Sequence, residues 1–416
     1  MRVHLIGICG VSMRWIAEVL RLRGCEVTGS DITLGGHDAA LVRGADLVIY
    51  TSAVGEDNPE LAEARALGIP VLTRAQALGR ISAGIGPLIA VAGTHGKSTV
   101  TGMTAYALRG YEPAVHVGGT IGGRTGACSG RLLVAEACEY RRNFLELSPD
   151  IAVVLNVELD HTDCYSSYGD MLSAFAAFCA RSSVIIVPDG LPLSPKTGGR
   201  TVRVGRTGDY ALIGCRGDRD GSELTVKTPD GVFPFRISRI GRHNALNAVF
   251  AVAAAREYGA DYGEIEKGLA AFPGIDRRMQ RVGILGGAAV FSDYAHHPTE
   301  IRAGLDALAS AGYKSPLVVF QPHTHERLTS LMPDFASALA GVRSVLLPVF
   351  EARGGRGGAD SRDLAAAVTA LGGDTVAADG FCEAASLVLS RLGESDAIVV
   401  MGAGDDEKIL PLLSGG

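Results

Sequence analysis

Apolar residues along this chain fall into short runs that stop at a glycine or an acid. Each run hands over to a stretch with apolar positions three and four apart. Runs of that length read as buried strands and the stretches after them as amphipathic helices. The stretches 2–8, 25–30, 45–51 and 69–72 are predicted as strands of a first block. Between the first two, Met13, Ile16, Ala17, Val19 and Leu20 line one face of a helix that ends at Gly24. A second helix, 58–67, opens on Asn58 and Pro59. The glycine-bearing stretch 82–87 reads as a linker out of this block.

The pattern restarts at 88–108, LIAVAGTHGKSTVTGMTAYAL, as apolar strand, glycine loop and helix. Strands are predicted at 131–136, 151–156 and 183–187, and alternating segments over 201–237, with Asp-Gly turns at 220 and 230, predict added antiparallel strands. A helix follows from Gly241, with His243, Asn244 and Asn247 in its opening turns. A third block has strands at 290–292, 316–321, 344–349 and 396–401 with helices between them. Strand and helix alternating in this way make an α/β protein with open, mostly parallel sheets. The stretch 351–361 is too rich in glycine for a regular element and reads as a mobile loop.

Composition narrows the picture. A chain of 416 residues, 47% hydrophobic and 20% charged, builds several globular domains and is not disordered. Its net charge of −6 leaves no broad basic surface, which argues against nucleic acid as a partner but allows cationic pockets for small anions. Eight cysteines without a CxxC pair read as reduced, mostly buried thiols. No apolar run approaches the roughly 18 residues of a membrane span. A cytoplasmic protein with no membrane insertion is expected.

The chemistry concentrates in GTHGKS, 93–98. Gly93 and Gly96 allow a close backbone approach to phosphate, the amides opening the next helix point at it, and Lys97 adds a mobile cation. Ser98 or Thr99 can offer a hydroxyl to magnesium. Val91 stands where the general phosphate-loop pattern has its first glycine, so the loop is a shortened one. Glu136 and His161 follow parallel strands, at the end of the sheet where such folds bind ligands, and are candidate metal ligands. In the first block Gly7 and Gly10 open a helix and Asp31 closes the second strand, a layout that seats a nucleotide diphosphate. Ser12 and Met13 occupy the place of a third glycine, so the dinucleotide fingerprint is incomplete. An oxidoreductase would leave GTHGKS and its acids unexplained.

GTHGKST, EACEY, NVELDH, GRHNALNA, FPGIDRR, DYAHHPTEI and MGAGD occur in that order. In this the chain resembles the Mur ligase family over essentially its whole length, and most of all the branch that joins L-alanine to UDP-N-acetylmuramate. The HLIGICGVSM start and TGSD at 28–31 are similar to that branch as well. The resemblance implies three domains: a Rossmann-like UDP-sugar domain (1–84), a central P-loop ATPase domain (85–272) and a Rossmann-like closing domain (273–416). It implies an ATP-dependent amide ligase of peptidoglycan precursor synthesis, with ATP and Mg2+ and with UDP-N-acetylmuramate and an amino acid as substrates. A muropeptide or related sugar-acid ligase is the alternative within the family, and a non-catalytic nucleotide-binding protein the alternative outside it.

By the same resemblance, Gly93, Thr94, His95, Gly96, Lys97, Ser98 and Thr99 surround the ATP phosphates, with Lys97 on the β- and γ-phosphates. Ser98 and Glu136 would hold one magnesium and His161 a second. Asn244 and Asn247 match the adenine side. Arg278, beside Arg277, matches the arginine on the transferred phosphate. Asp293, Tyr294, His296 and His297 match the closing domain's face, with Asp293 toward ATP. Gly7, Gly10, Ser30 and Asp31 fall where UDP is expected. In PHTHER, Thr324 and His325 replace an arginine and a tyrosine of the family, and Arg327 is the residue left to meet substrate. Ala176 stands where many other members carry a modified lysine, in agreement with the alanine branch.

Overall fold

Four parallel strands open the computed structural model, which describes residues 1–161, 164–350 and 357–414. They are β1 (Arg2–Ile6), β2 (Glu26–Ser30), β3 (Leu47–Tyr50) and β4 (Val71–Thr73), in the order β2-β1-β3-β4. The helix Val11–Leu22 buries Met13, Ile16, Ala17, Val19 and Leu20 as their spacing predicts, and Trp15 with them. The helix Pro59–Ala66 starts where expected: the Asn58 side chain accepts the amides of Glu60 and Leu61, and Pro59 gives up no needed donor.

A six-stranded parallel sheet follows: β5 (Leu88–Ala92), β6 (Pro113–His116), β7 (Leu132–Glu136), β8 (Ile151–Val154), β9 (Val184–Pro188) and β10 (Arg200–Val204). Its order is β10-β9-β8-β5-β7-β6. Both faces of β5 are covered and every residue in it is buried, which is why it reads as an unbroken apolar run. β7 and β8 flank β5, so the ends of these strands lie side by side. The antiparallel reading of 201–237 fails at β10, which runs parallel to β9. The intervening residues 189–199 are long enough to carry the chain back along the sheet, as a parallel neighbour requires. β11 (Ala211–Asp218), β12 (Gly221–Thr228) and β13 (Gly231–Ile237) make a separate three-stranded sheet, with the two Asp-Gly pairs at its turns. The helices Arg242–Tyr258 and Tyr262–Ala271 complete this part of the chain.

The last sheet holds β14 (Gln280–Leu285), β15 (Ala288–Asp293), β16 (Pro316–Phe320), β17 (Arg343–Leu346), β18 (Thr375–Ala377) and β19 (Ala397–Met401), in the order β14-β15-β19-β16-β17-β18. It is parallel except for β14, which pairs antiparallel with β15. Neither edge strand stands out in the sequence, because β14 is largely exposed and β18 is very short. The glycine-rich stretch expected as a loop lies outside the described residues over 351–356, and at Ser361 the chain is already helical.

These elements form two compact units: Met1–Gly214 with Leu224–Ile237 and Leu246–Ile275, and Cys215–Glu223 with Ser238–Ala245 and Asp276–Gly416. In the first unit one continuous core runs from Val3, Trp15 and Leu78 through Leu88 and Leu133 to Phe144, Phe175 and Phe178. All eight cysteines are free.

Candidate active site

β5 delivers the chain into a loop whose two glycines have positive φ, 144° at Gly93 and 85° at Gly96. The loop is pinned from the end of β8. The His95 amide donates to Asn156 Oδ1 at 2.8 Å, and Asn156 Nδ2 donates back to the His95 carbonyl at 3.1 Å. Thr94 exchanges hydrogen bonds with the backbone of Glu158, and the His95 ring lies 3.7 Å from the Glu158 carboxylate. A Cβ at Gly96 would sit 3.0 Å from Asn247 Oδ1, which places that asparagine against the loop. The helix Lys97–Ala107 starts here, so its free amides and the positive end of its dipole face whatever the loop holds.

The Lys97 ammonium folds back over this loop. Nζ donates to the carbonyls of Gly93 at 2.6 Å and Thr94 at 3.1 Å and to Glu139 Oε1 at 2.9 Å. Glu139, in the EACEY stretch but not among the expected site residues, is the partner of two that are, since His161 Nε2 lies 3.5 Å from the same Oε1. The Tyr165 hydroxyl donates to the Glu139 carbonyl at 2.6 Å, and the Tyr140 ring packs 4.9 Å from His161. Burial opposes charge on Lys97, but Glu139 and then Glu136 outweigh it and hold the ammonium above its ordinary pKa. Burial likewise pushes the Glu139 carboxyl up, and the Lys97 charge with hydrogen bonds from His161 and Lys97 brings it below the carboxylate range. The hydrogen bond to Glu139 is the main cause that raises the His161 imidazole, against burial.

Glu136 ends β7 and takes two donors on Oε2, the Ser98 hydroxyl at 2.7 Å and the Gly118 amide at 2.7 Å. A hydroxyl and a carboxylate side by side are the hard oxygen donors that magnesium selects. Among the described residues no group of three or more His, Cys, Asp or Glu makes a ready cage. The pair therefore fits a cation that draws its other oxygens from phosphate and water. His161 faces Glu139, and Thr99 is nearly buried.

The first sheet ends in a second glycine loop. The amides of Gly7 (φ 85°) and Ile8 both donate to the Ser30 carbonyl, and Gly10 closes onto the Gly7 carbonyl at the start of the helix Val11–Leu22. Asp31 accepts the Cys9 amide at 3.2 Å and the Thr33 amide at 3.1 Å. Burial pushes its carboxyl up, but those hydrogen bonds together hold it below its ordinary pKa. The Ser30 hydroxyl is committed inward, donating to Glu60 Oε2 at 2.7 Å. Glu60, fully buried, also meets His4 Nε2 at 2.7 Å and His37 Nδ1 at 2.9 Å. Sequence reasoning missed this network, whose members lie up to 56 positions apart. Deeper in the same unit, burial and the Arg74 charge push the His116 imidazole down to about 3.

The second unit gathers most of the other expected residues around Glu300, which lies in the DYAHHPTEI stretch but is not among the expected site residues. Arg278 lies 3.6 Å from Glu300 Oε1 and its guanidinium stands 5.3 Å from the centre of the Tyr294 ring. His296 Nδ1 lies 3.5 Å from Glu300 Oε2. Asp293, at the end of β15 and 6% exposed, accepts the Ala295 amide at 3.1 Å. Burial pushes its carboxyl up to about 7, with Glu300 adding to the effect and Arg278 opposing it. Burial lowers the His296 imidazole, and the nearby charges of Arg327 and Arg278 add to that. Two residues have structural employment. Arg277 pairs with Asp406 at 2.6 Å and the Gly402 carbonyl at 2.9 Å, and His297 caps the helix Pro298–Ser310. Asn244 Nδ2 donates to the Ile240 carbonyl at 2.9 Å.

A glycine loop of the phosphate-binding type on a parallel sheet, flanked in the chain by two further α/β layers, defines a nucleotide-binding α/β protein. Three consecutive stretches match family descriptions: residues 2–85 the Mur ligase family, catalytic domain, 91–255 the Mur ligase middle domain, and 277–404 the Mur ligase, glutamate ligase domain. The chain belongs to the Mur ligase family. Its curated relatives include the UDP-N-acetylmuramate–L-alanine ligases of Mycolicibacterium vanbaalenii (38% identical, covering 97% of this chain and 94% of the relative) and Clostridium acetobutylicum (34%, covering 98% and 96%). Among solved structures it is similar to the UDP-N-acetylmuramate-alanine ligase of Thermotoga maritima, with a TM-score of 0.84 at 26% identity over 100% of this chain and 98% of that one. A murein peptide ligase from Psychrobacter arcticus shares the fold at a TM-score of 0.70 and 23% identity, over 100% of this chain and 98% of that one.

Proposed function

We propose that this protein joins L-alanine to the lactyl carboxyl of UDP-N-acetylmuramate at the expense of ATP, an early step of peptidoglycan synthesis. The observation that carries the reading is the loop 93–98, with Lys97 and the Ser98–Glu136 pair at its end, in a chain aligned nearly end to end with ligases of that name. The sugar's carboxylate attacks the γ-phosphorus, a P–O bond to ADP breaks, and an acyl phosphate forms. The amine of alanine then attacks the acyl carbon, loses a proton and expels phosphate, leaving an amide.

Lys97 neutralises charge on the transferring phosphoryl group, exchanging its own loop carbonyls for phosphate oxygens, and the loop amides fix the β-phosphate. Ser98 and Glu136 would hold Mg2+, which would supply positive charge to offset that of the phosphates. Glu139 keeps Lys97 charged and aims both Lys97 and His161. Asn247 serves the nucleotide side of the loop, with Asn244 assigned to adenine. Arg278 meets the transferred phosphate, Asp293 serves ATP, and Tyr294, His296 and Arg327 meet substrate. Gly7, Gly10, Ser30 and Asp31 form the seat for UDP, in which Ser30 shapes the loop through its carbonyl. A reaction fed by ATP belongs in the cytoplasm, and among the described residues no helix is long and apolar enough to cross a membrane.

Phosphate release from ATP and Mg2+, with UDP-N-acetylmuramate paired in turn with L-alanine, glycine, L-serine and a preformed peptide with a free amino terminus, tests this. Release and a product of matching mass are expected with L-alanine. Faster turnover of the peptide would reassign the chain to peptide ligation.

A further inference from the structure

Ser12 and His116 meet between the first two sheets of the first unit, 104 positions apart in the chain, with Ser12 Oγ 2.7 Å from His116 Nε2. Arg74 Nη1 donates to the same hydroxyl oxygen at 3.2 Å. A hydroxyl oxygen takes two donors and gives one, so the Ser12 hydroxyl accepts from Arg74 and can still pair with Nε2 in either tautomer of the ring. Nδ1 is buried without a well-aligned hydrogen bond, though the backbone of Glu136 lies close enough to favour a proton there. His116 is 2% exposed, and Trp15 packs edge-on against it with ring centres 5.1 Å apart. A half-satisfied polar ring in such surroundings stabilises less than an apolar side chain of similar size would.

What the pair touches gives it a use. Ser12 lies in the first turn of the helix that opens on the amino-terminal glycine loop. His116 is the last residue of β6, and two residues further on the Gly118 amide holds Glu136 Oε2 at 2.7 Å. A Cβ at Gly118 would come within 2.8 Å of both Glu136 oxygens, so the backbone itself seats that carboxylate. Glu136 in turn holds Ser98. Hydrogen bonds and one short step of chain, His116 to Gly118, therefore link Arg74, Ser12, His116, Gly118, Glu136 and Ser98 in a line.

We propose that the Ser12–His116 pair is a positioning strut that ties the amino-terminal glycine loop to the metal-binding carboxylate Glu136, so that a sugar-nucleotide diphosphate on that loop tightens the divalent-cation site. This rests on the reading of that loop as the diphosphate seat and of Glu136 as a metal ligand. Neither Ser12 nor His116 touches the reacting atoms. Removing a partner that orients a metal ligand weakens metal binding by roughly 10–100-fold.

The test is Mn2+ binding, followed by electron paramagnetic resonance, to the full-length protein with a non-hydrolysable ATP analogue, with and without UDP-N-acetylmuramate. In the wild type the sugar nucleotide should tighten Mn2+ about tenfold. Ser12→Ala and His116→Val should weaken Mn2+ by roughly 10–100-fold and abolish the response to the sugar nucleotide, while Ser12→Thr, which keeps the hydroxyl, restores both. Calorimetric binding of the sugar nucleotide and thermal unfolding verify that each variant is folded. A folded Ser12→Ala protein with wild-type Mn2+ affinity and an intact response overturns the strut, and so does a wild type whose Mn2+ affinity ignores the sugar nucleotide. Glu136→Gln that leaves Mn2+ affinity unchanged overturns instead the metal reading on which it rests.

Discussion

Lys97 and Glu139 show what a single residue owes to its sequence neighbourhood and what it owes to the fold. Lys97 is legible because its role is local: a strand, two glycines and a helix within a few residues fix where its ammonium can go. Lys97→Ala should slow phosphate release by roughly 100–1,000-fold with the fold intact, the usual cost of one charge-stabilising donor. Near-normal release in the presence of both substrates would remove the loop from the chemistry. Glu139 lies in the EACEY stretch, but its pairing is not local. It follows β7 in an irregular turn where Arg141 and Arg142 adopt positive φ, and its partners Lys97 and His161 arrive from other elements. Breaking a buried ion pair by removing one side costs about 3–5 kcal/mol. Glu139→Gln should therefore lower denaturant stability by an amount of that order, as well as activity, and unchanged unfolding midpoints would show the pair to be idle. Asp293 adds a pH signature. Its folded-state pKa, about 7, stands above the ordinary 3.8. Between those values the folded protein binds more protons than the unfolded chain, so stability falls as pH rises from about 4 to about 7 and then levels off. Asp293→Asn should match wild type in thermal unfolding at pH 4 and exceed it at pH 8. A constant gap between the two proteins would place the titration elsewhere.

At the scale of elements, legibility follows burial. β5, β8 and β19 are apolar throughout, and β7 is so up to its last residue, Glu136, so they stand out in the sequence, whereas β14 and β18 lie at sheet edges where exposure dilutes the pattern. β10 is a different failure. Its alternation was read correctly as a strand, but direction depends on the crossover before it, which periodicity does not encode. The same limit hides packing between helices. Gly268, in the helix Tyr262–Ala271, lets that helix settle against the end of the helix Lys97–Ala107, where a Cβ would come 2.2 Å from the Tyr106 carbonyl and 2.6 Å from Ala107 Cα. Backbone cannot swing aside as a side chain can, so overpacking here costs roughly 1–3 kcal/mol or more. Gly268→Ala should lower the thermal midpoint of the first unit, while Gly263→Ala in the same helix, with open space around its Cβ position, should not. Equal effects from the two substitutions would mean that helix propensity, not packing, governs the site.

Across the whole molecule, parallel sheets repeatedly end in polar loops, and backbone hydrogen bonds Gly7–Ser30, Ala137–Val91 and Gly402–Asp293 join adjacent strand ends there. In open α/β sheets the carboxyl ends of the strands are where ligands collect, and the proposed reaction has three reactants: a sugar nucleotide, ATP and an amino acid. Linking them through one activated intermediate requires that intermediate to live long enough to meet an amine, so it must be accessible to a small nucleophile and slow to hydrolyse. Hydroxylamine is such a nucleophile. Added during turnover with ATP, Mg2+ and UDP-N-acetylmuramate, it should divert the acyl phosphate to a hydroxamate of the sugar nucleotide, with one ADP formed for each hydroxamate. The yield should fall as L-alanine is raised, because both amines compete for one acyl carbon, and Lys97→Ala should abolish it. ATP consumption that depends on both substrates yet leaves no hydroxamate at any L-alanine concentration would defeat the acyl phosphate route, since no other product of phosphoryl transfer gives that adduct.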